Sequence, residues 1–380
     1  MHPAAPAVAT CYGCLQPICD ACVVMEDFEQ RCAPCARAHR ARKRRRSIAA
    51  TLAAIVAVAL VAGVGGWLWW TYEPSFDYGP RSREIARLTA QLEDEPCNRG
   101  KALDLVEGMV QAGDNRGALA RSAAFFDACG DFTRLRWLTY EAHKRLSEWD
   151  LAADEATMLV ASDPWDADFR WWRGLVYEQK GDDERAIADY RQAMALRPEI
   201  RSIPINLATL LERQGRPCEA TAPIEQLLFY YPDAGNADAL RQRADTLARA
   251  GGCRTEGRAA RIRFDRGTGL IHTRARVNAR AEGTFAIDTG ASYVTLARRF
   301  AEETGIPTDG PQVWLATAAG PHTGTLATVD ALDVQGLTAS AVPVVVIDGL
   351  DPDLDGLLGL SFLARFDLVT SEDALEIRPR

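Results

Sequence analysis

Basic charge is in deficit in this 380-residue chain: 44 Lys and Arg face 52 Asp and Glu, a formal net charge of −8. That balance excludes a protein that binds nucleic acid along its whole length. Charge of either sign is missing from Ile48 to Trp70. A helix rising 1.5 Å per residue would there match a hydrocarbon core of roughly 30 Å, so one transmembrane helix over 48–70 is expected. A secretory signal peptide has a shorter apolar core and does not sit behind forty other residues. The few clustered bases, Arg37, Arg40, Arg42, Lys43, Arg44, Arg45 and Arg46, precede this run, and the next base after it is Arg81. The positive-inside rule then holds the N-terminus in the cytoplasm and exports the chain beyond Trp70, with Trp67, Trp69, Trp70 and Tyr72 as an interfacial belt.

Cysteine is scarce beyond residue 35, where only Cys97, Cys129, Cys218 and Cys253 occur. The other six crowd into the first 35 residues as "CYGC", "CDAC" and "CAPC". Paired CxxC units read as metal ligands, and isolated cysteines of an exported region read as disulfides. Cys11, Cys14, Cys32 and Cys35 would form a closed tetrahedron of thiolates suited to structural zinc. The segment 1–40 resembles the B-box-type zinc fingers, and that resemblance implies a second site from Cys19, Cys22 and His2. The cysteine that the family places before that histidine is missing, since only Met1 precedes His2; His39 is an alternative ligand.

After a linker and juxtamembrane helix over 71–95, residues recur every 34 positions. Gly113, Ser147, Gly181 and Gly215 form one series; Ala118, Ala152, Ala186 and Ala220 form another. This period and "GLVYEQKGDDERAIADYRQAMALRP" resemble tetratricopeptide repeats, helix pairs that bury their faces only by stacking. Four repeats and a polar capping helix are expected within 96–254. In that register Cys97 adjoins Cys129 and Cys218 adjoins Cys253, at neighbouring helix ends. Two disulfides are expected there, with free buried thiols as the alternative.

From 257 to 380 the apolar period falls to two, as in "GTFAID" and "LTASAVPVVVID", and an all-β region is expected. "AIDTGAS" supplies Asp288, Thr289, Gly290, Ala291 and Ser292. "WLATAAGPHTGTLATVDALDV" has hairpin chemistry, and "DGLLGLSFLARF" places Leu357, Leu358 and Gly359 before a short helix. In this order the elements resemble the retroviral-type (retropepsin-like) aspartic proteases, most closely their bacterial branch. The retroviral enzymes usually carry an arginine where Leu360 stands. The resemblance implies Asp288 as a catalytic carboxylate, Thr289 bonding across a dimer beneath it, and the hairpin as a flap over an extended peptide. No second Asp-Thr-Gly or Asp-Ser-Gly exists in the chain. The family's chemistry needs two carboxyls sharing one proton, so the second Asp288 is expected from another copy across a two-fold axis. "ETG" at 303–305 reads instead as a helix end. "DPDLDG" at 351–356 lacks the glutamate of a calcium loop.

The expected fold class is thus multidomain: zinc finger, transmembrane helix, α-solenoid and retropepsin-like β domain. The expected function is a homodimeric aspartic endopeptidase of a bacterial inner membrane, with its C-terminal regions periplasmic. Its repeats would recruit a protein substrate, its finger would meet a cytoplasmic partner, and catalysis would need no cofactor. The alternatives are a non-catalytic scaffold whose β domain only dimerises, and a transmembrane signalling protein.

Overall fold

The computed structural model describes residues 6–27, 29–71, 76–253, 255–264, 270–317 and 320–379, with side chains at all of these except 50, 52, 53, 61–71, 316 and 317. Two compact units divide the chain, 1–77 and 78–380.

In the first unit β1 (Ala7–Thr10) pairs antiparallel with β2 (Pro17–Cys19), and β3 (Val23–Glu26) with β4 (Glu29–Cys32). Helix α1 (Ala33–Thr71) comes next as one 39-residue element. It corrects the membrane expectation. Among the described residues no helix is long and apolar enough to cross a membrane. The first turns of α1 carry the arginine cluster. The fold class therefore loses its transmembrane element, and the single-pass inner-membrane placement is overturned with it. The aromatic belt expected at Trp67, Trp69, Trp70 and Tyr72 lies outside the described side chains.

The second unit opens with α2 (Ser82–Asp94) and continues as four antiparallel helix pairs. These are α3 (Arg99–Ala112) with α4 (Asn115–Cys129), α5 (Thr133–Arg145) with α6 (Trp149–Ser162), α7 (Ala167–Gln179) with α8 (Asp183–Leu196), and α9 (Ser202–Arg213) with α10 (Pro217–Tyr230). Helix α11 (Ala237–Gly251) ends the solenoid. The 34-residue series has physical reasons. Gly113, Gly181 and Gly215 adopt φ of 94°, 74° and 69° where each first helix turns into its second, a left-handed conformation that glycine accepts without a Cβ penalty. Ser147 takes the same turn at φ 58°. Ala118, Ala152, Ala186 and Ala220 are all buried where paired helices meet. Disulfides join Cys97 to Cys129 and Cys218 to Cys253, one at each end of the solenoid, as the register implied.

The β region contains β5 (Thr255–Glu256), β6 (Ala260–Arg263), β7 (His272–Val277), β8 (Ala281–Ile287), β9 (Val294–Ala297), α12 (Arg298–Thr304), β10 (Gln312–Thr317), β11 (Gly320–Val334), β12 (Leu337–Ile347), β13 (Gly356–Leu358), α13 (Leu360–Leu363), β14 (Phe366–Thr370) and β15 (Ala374–Pro379). One sheet runs β10-β11-β7-β8-β13-β9-β12-β5, and β11 also pairs with β12, so that the sheet folds back on itself. A second sheet runs β14-β15-β6. Strict alternation drives this arrangement: in β7, Thr273, Ala275 and Val277 point inward while His272, Arg274 and Arg276 face solvent. Phe285, Val294, Leu358, Phe362 and Phe366 lie at the centre of the core.

Solenoid and β region share a second core. Tyr293, Val313, Leu326, Val345 and Ile347 pack with Met194, Leu227 and Leu228. A buried Arg365 adds charge to that contact: its guanidinium donates to the carbonyls of Ser340 at 2.6 Å and Ala341 at 3.1 Å, and its Nε lies 3.3 Å from Glu225 Oε2 of α10.

Candidate active site

Strand β8 delivers Asp288 at its end, and β13 lies parallel beside it with Leu358 opposite Ile287. On its other side β13 runs antiparallel to β9, Leu357 facing Thr295. The strand is thus threaded between the two arms of the 288–293 loop. The loop cannot drift, because its backbone is tied to that strand and to α13. The Asp288 N–H donates to Leu358 C=O at 3.0 Å, Leu360 N–H to Ala291 C=O at 2.8 Å, and Ser361 N–H to Ser292 C=O at 3.1 Å. The Ser361 hydroxyl accepts from Val294 N–H at 2.8 Å and donates to Pro343 C=O at 2.6 Å. Gly359 permits this closeness: a Cβ there would lie 2.1 Å from Tyr293 O and 2.8 Å from Ala291 O. Leu360 is fully buried, an apolar core residue in place of the retroviral arginine.

The carboxylate itself is half-buried, and Gly290 N–H donates to its Oδ1 at 2.9 Å. Thr289 and Gly290 are exposed in the single chain. Asp288, Gly290, Ala291, Ser292, Tyr293, Thr295 and Leu357 line a cleft of ≈ 280 Å³ together with Leu315, Ile347 and Ala195. Leu315 belongs to the hairpin β10–β11, whose register runs from Gln312↔Thr325 to Thr317↔Gly320. The expected flap is therefore a hairpin beside the aspartate; residues 318 and 319 lie outside those described. The two other acidic motifs are structural here. Gly305, at φ 71°, ends α12 after Glu303. Asp355 accepts from Thr284 N–H at 2.8 Å and pairs with Arg299 at 3.1 Å.

Sequence reasoning missed the solenoid's part in this site. Ser292 Oγ lies 3.4 Å from the carbonyls of Met194 and Ala195, and Gln226 Nε2 donates to Ser292 C=O at 2.9 Å. The Tyr293 hydroxyl donates to Arg191 C=O at 3.3 Å, and burial pushes that phenol up to about 12. The one signal was periodic: Gln192 and Gln226 stand 34 residues apart and are both buried, glutamine being mostly exposed in proteins.

In the N-terminal unit the sulfurs of Cys11, Cys14, Cys32 and Cys35 all lie within 4.8 Å of one another, so the cluster can hold a metal ion. Cys14 and Cys32 sulfurs are 3.8 Å apart, which matches the edge of a tetrahedron with metal–sulfur bonds of about 2.3 Å. Cys32 N–H donates to Cys11 Sγ at 3.1 Å, which lowers that thiol to about 6, while the neighbouring Cys32 thiol raises Cys35 to about 12. Four thiols crowded this closely compete for negative charge, and a bound cation resolves the conflict. Of the second set, the Cys19 side chain raises the Cys22 thiol, His39 lies 3.9 Å from Asp27, and His2 lies outside the described residues.

Residues 273–362 match the family model described as aspartyl protease. Among solved structures, a retropepsin-like aspartic protease from Rickettsia conorii is 27% identical over 33% of this chain and 95% of its own, with a TM-score of 0.29. A thermophilic TPR protein of Thermus thermophilus is 24% identical over 43% of this chain and 88% of its own, TM-score 0.32. MamA from Desulfovibrio magneticus is 15% identical over 47% and 96%, TM-score 0.38. No curated protein matches the chain. The family match spans Asp288, the hairpin beside it and the Leu357–Gly359 loop that fixes it, so the resemblance to the aspartyl proteases covers the candidate site.

Proposed function

We propose that the protein is an aspartic endopeptidase whose dyad is Asp288 of two copies of this chain. The observation that carries the reading is the loop itself. Asp288 follows β8, is tied to β13 through Leu358 and lines a cleft, and the adjoining Thr289 and Gly290 are exposed in the single chain, available to a partner. Two carboxyls brought together by a two-fold axis share one proton, and their titration belongs to the pair. The ionised member takes a proton from a water between them as that water attacks the peptide carbonyl. The protonated member gives its proton to the carbonyl oxygen. Collapse of the tetrahedral species returns a proton to the leaving nitrogen and breaks the C–N bond. The flap hairpin covers an extended peptide, and the solenoid recruits the protein that contains it.

Asp288→Asn removes the exchangeable proton without changing size. It is expected to lower kcat for peptide cleavage by at least roughly 10²–10⁴-fold with KM little changed. Cleavage retained at the wild-type rate would remove Asp288 from the mechanism. In the N-terminal unit we propose zinc as the ion held by Cys11, Cys14, Cys32 and Cys35, with Cys19, Cys22 and His2 as a second set. Elemental analysis of reduced protein should find at least one zinc per chain; metal-free protein that keeps its N-terminal fold would refute the assignment.

A further inference from the structure

Strand β10 is the edge of its sheet, so alternate backbone groups of the flap hairpin face away from β11. At Trp314 both groups are paired by one solenoid side chain. Trp314 N–H donates to Gln192 Oε1 at 2.6 Å, and Gln192 Nε2 donates to Trp314 C=O at 2.9 Å. The carboxamide takes the place of a neighbouring strand. Gln192 is 3% exposed, so neither bond competes freely with water. The Trp314 ring is gripped as well, 5.0 Å from the Trp165 ring and 5.7 Å below the Arg170 guanidinium.

One repeat further, at the same register position, Gln226 is 1% exposed and holds Ser292 C=O of the active-site loop. The corresponding residue of the preceding repeat, Met158, is 49% exposed. Two successive glutamines of one solenoid face thus fasten the two sides of the cleft, hairpin and loop. Between them Ala195 at the end of α8 forms the cleft's wall.

We infer that the solenoid sets the height of the flap over Asp288, with Gln192 as the positioning residue, and that Ala195 limits the length of peptide accepted on that side. The inference rests on the proposed peptidase reading for its consequence in catalysis, but the clamp is a property of the fold. A solenoid built this way does more than carry a substrate to the site: its curvature fixes the distance between α8 and α10, and therefore the opening of the cleft.

Amide hydrogen exchange on the full chain tests this without requiring activity. Gln192→Leu removes both bonds, and Gln192→Asn keeps the polarity while withdrawing the amide by one methylene. Either should speed exchange in 312–317 by roughly three- to tenfold, with α8 still protected. Gln226→Asn should leave 312–317 unchanged, because it acts on the loop. Unchanged exchange at 312–317 in both Gln192 variants, or the same rise with Gln226→Asn, would overturn the inference. With a cleaved peptide, KM should rise in the Gln192 variants more than kcat falls, and the opposite split would also overturn it. Absence of cleavage by the unaltered protein would instead sink the peptidase reading and leave the exchange result to decide the clamp.

Discussion

Asp288 owes its position to residues that carry no chemistry of their own. Leu358 receives its N–H, Ser361 braces the far arm of the loop, and Gly359 lets the two backbones touch. Gly359→Ala would drive a methyl into Tyr293 O, against backbone that cannot rotate away. It should destabilise the β domain by about 1–3 kcal/mol or more, measured as a lower denaturant midpoint, and distort the site. A variant as stable as the parent would mean that the loop is not packed against β13 and α13 in this way. Much of this residue-level architecture is legible in the sequence. Asp-Thr-Gly-Ala-Ser and Leu-Leu-Gly carry it in two short strings, because a tight turn and a close backbone approach each leave few residue types possible. Gln192 and Ala195 are not legible as site residues, since nothing local marks a helix position that meets a strand 122 residues further on.

At the scale of elements, the solenoid closes its ends covalently. The Cys97–Cys129 bond spans a sequence separation of 32 residues and fastens the start of α3 to the end of α4. In the unfolded chain that bond removes loop entropy, an effect worth about 2–4 kcal/mol. Replacing both cysteines by serine should lower the solenoid's unfolding free energy by that amount, read by denaturation of oxidised protein. An unchanged midpoint would contradict the stapling role. The pairing is readable from the 34-residue period, which places those helix ends side by side. The same kind of reading fails at 48–70. A charge-free run reports apolarity alone, and among the described residues no helix is long and apolar enough to cross a membrane.

At the scale of the whole molecule, the chain joins a metal-ready thiol cluster, a helical solenoid and a β region that resembles the aspartyl proteases and carries Asp288. Docking the solenoid onto the active-site loop leaves Thr289 and Gly290 exposed, so the face that a second copy would meet is still open. Dimerisation is the central claim, and subunit mixing measures it most directly. Full-length wild-type protein is titrated with Asp288→Asn protein at fixed wild-type concentration, and peptide cleavage is monitored after exchange. A site shared between chains predicts that activity falls steadily as mixed dimers replace wild-type ones, and that wild-type specific activity also falls on dilution. Activity that ignores both the mutant chain and dilution would contradict the account, because it would place the second carboxylate within a single chain.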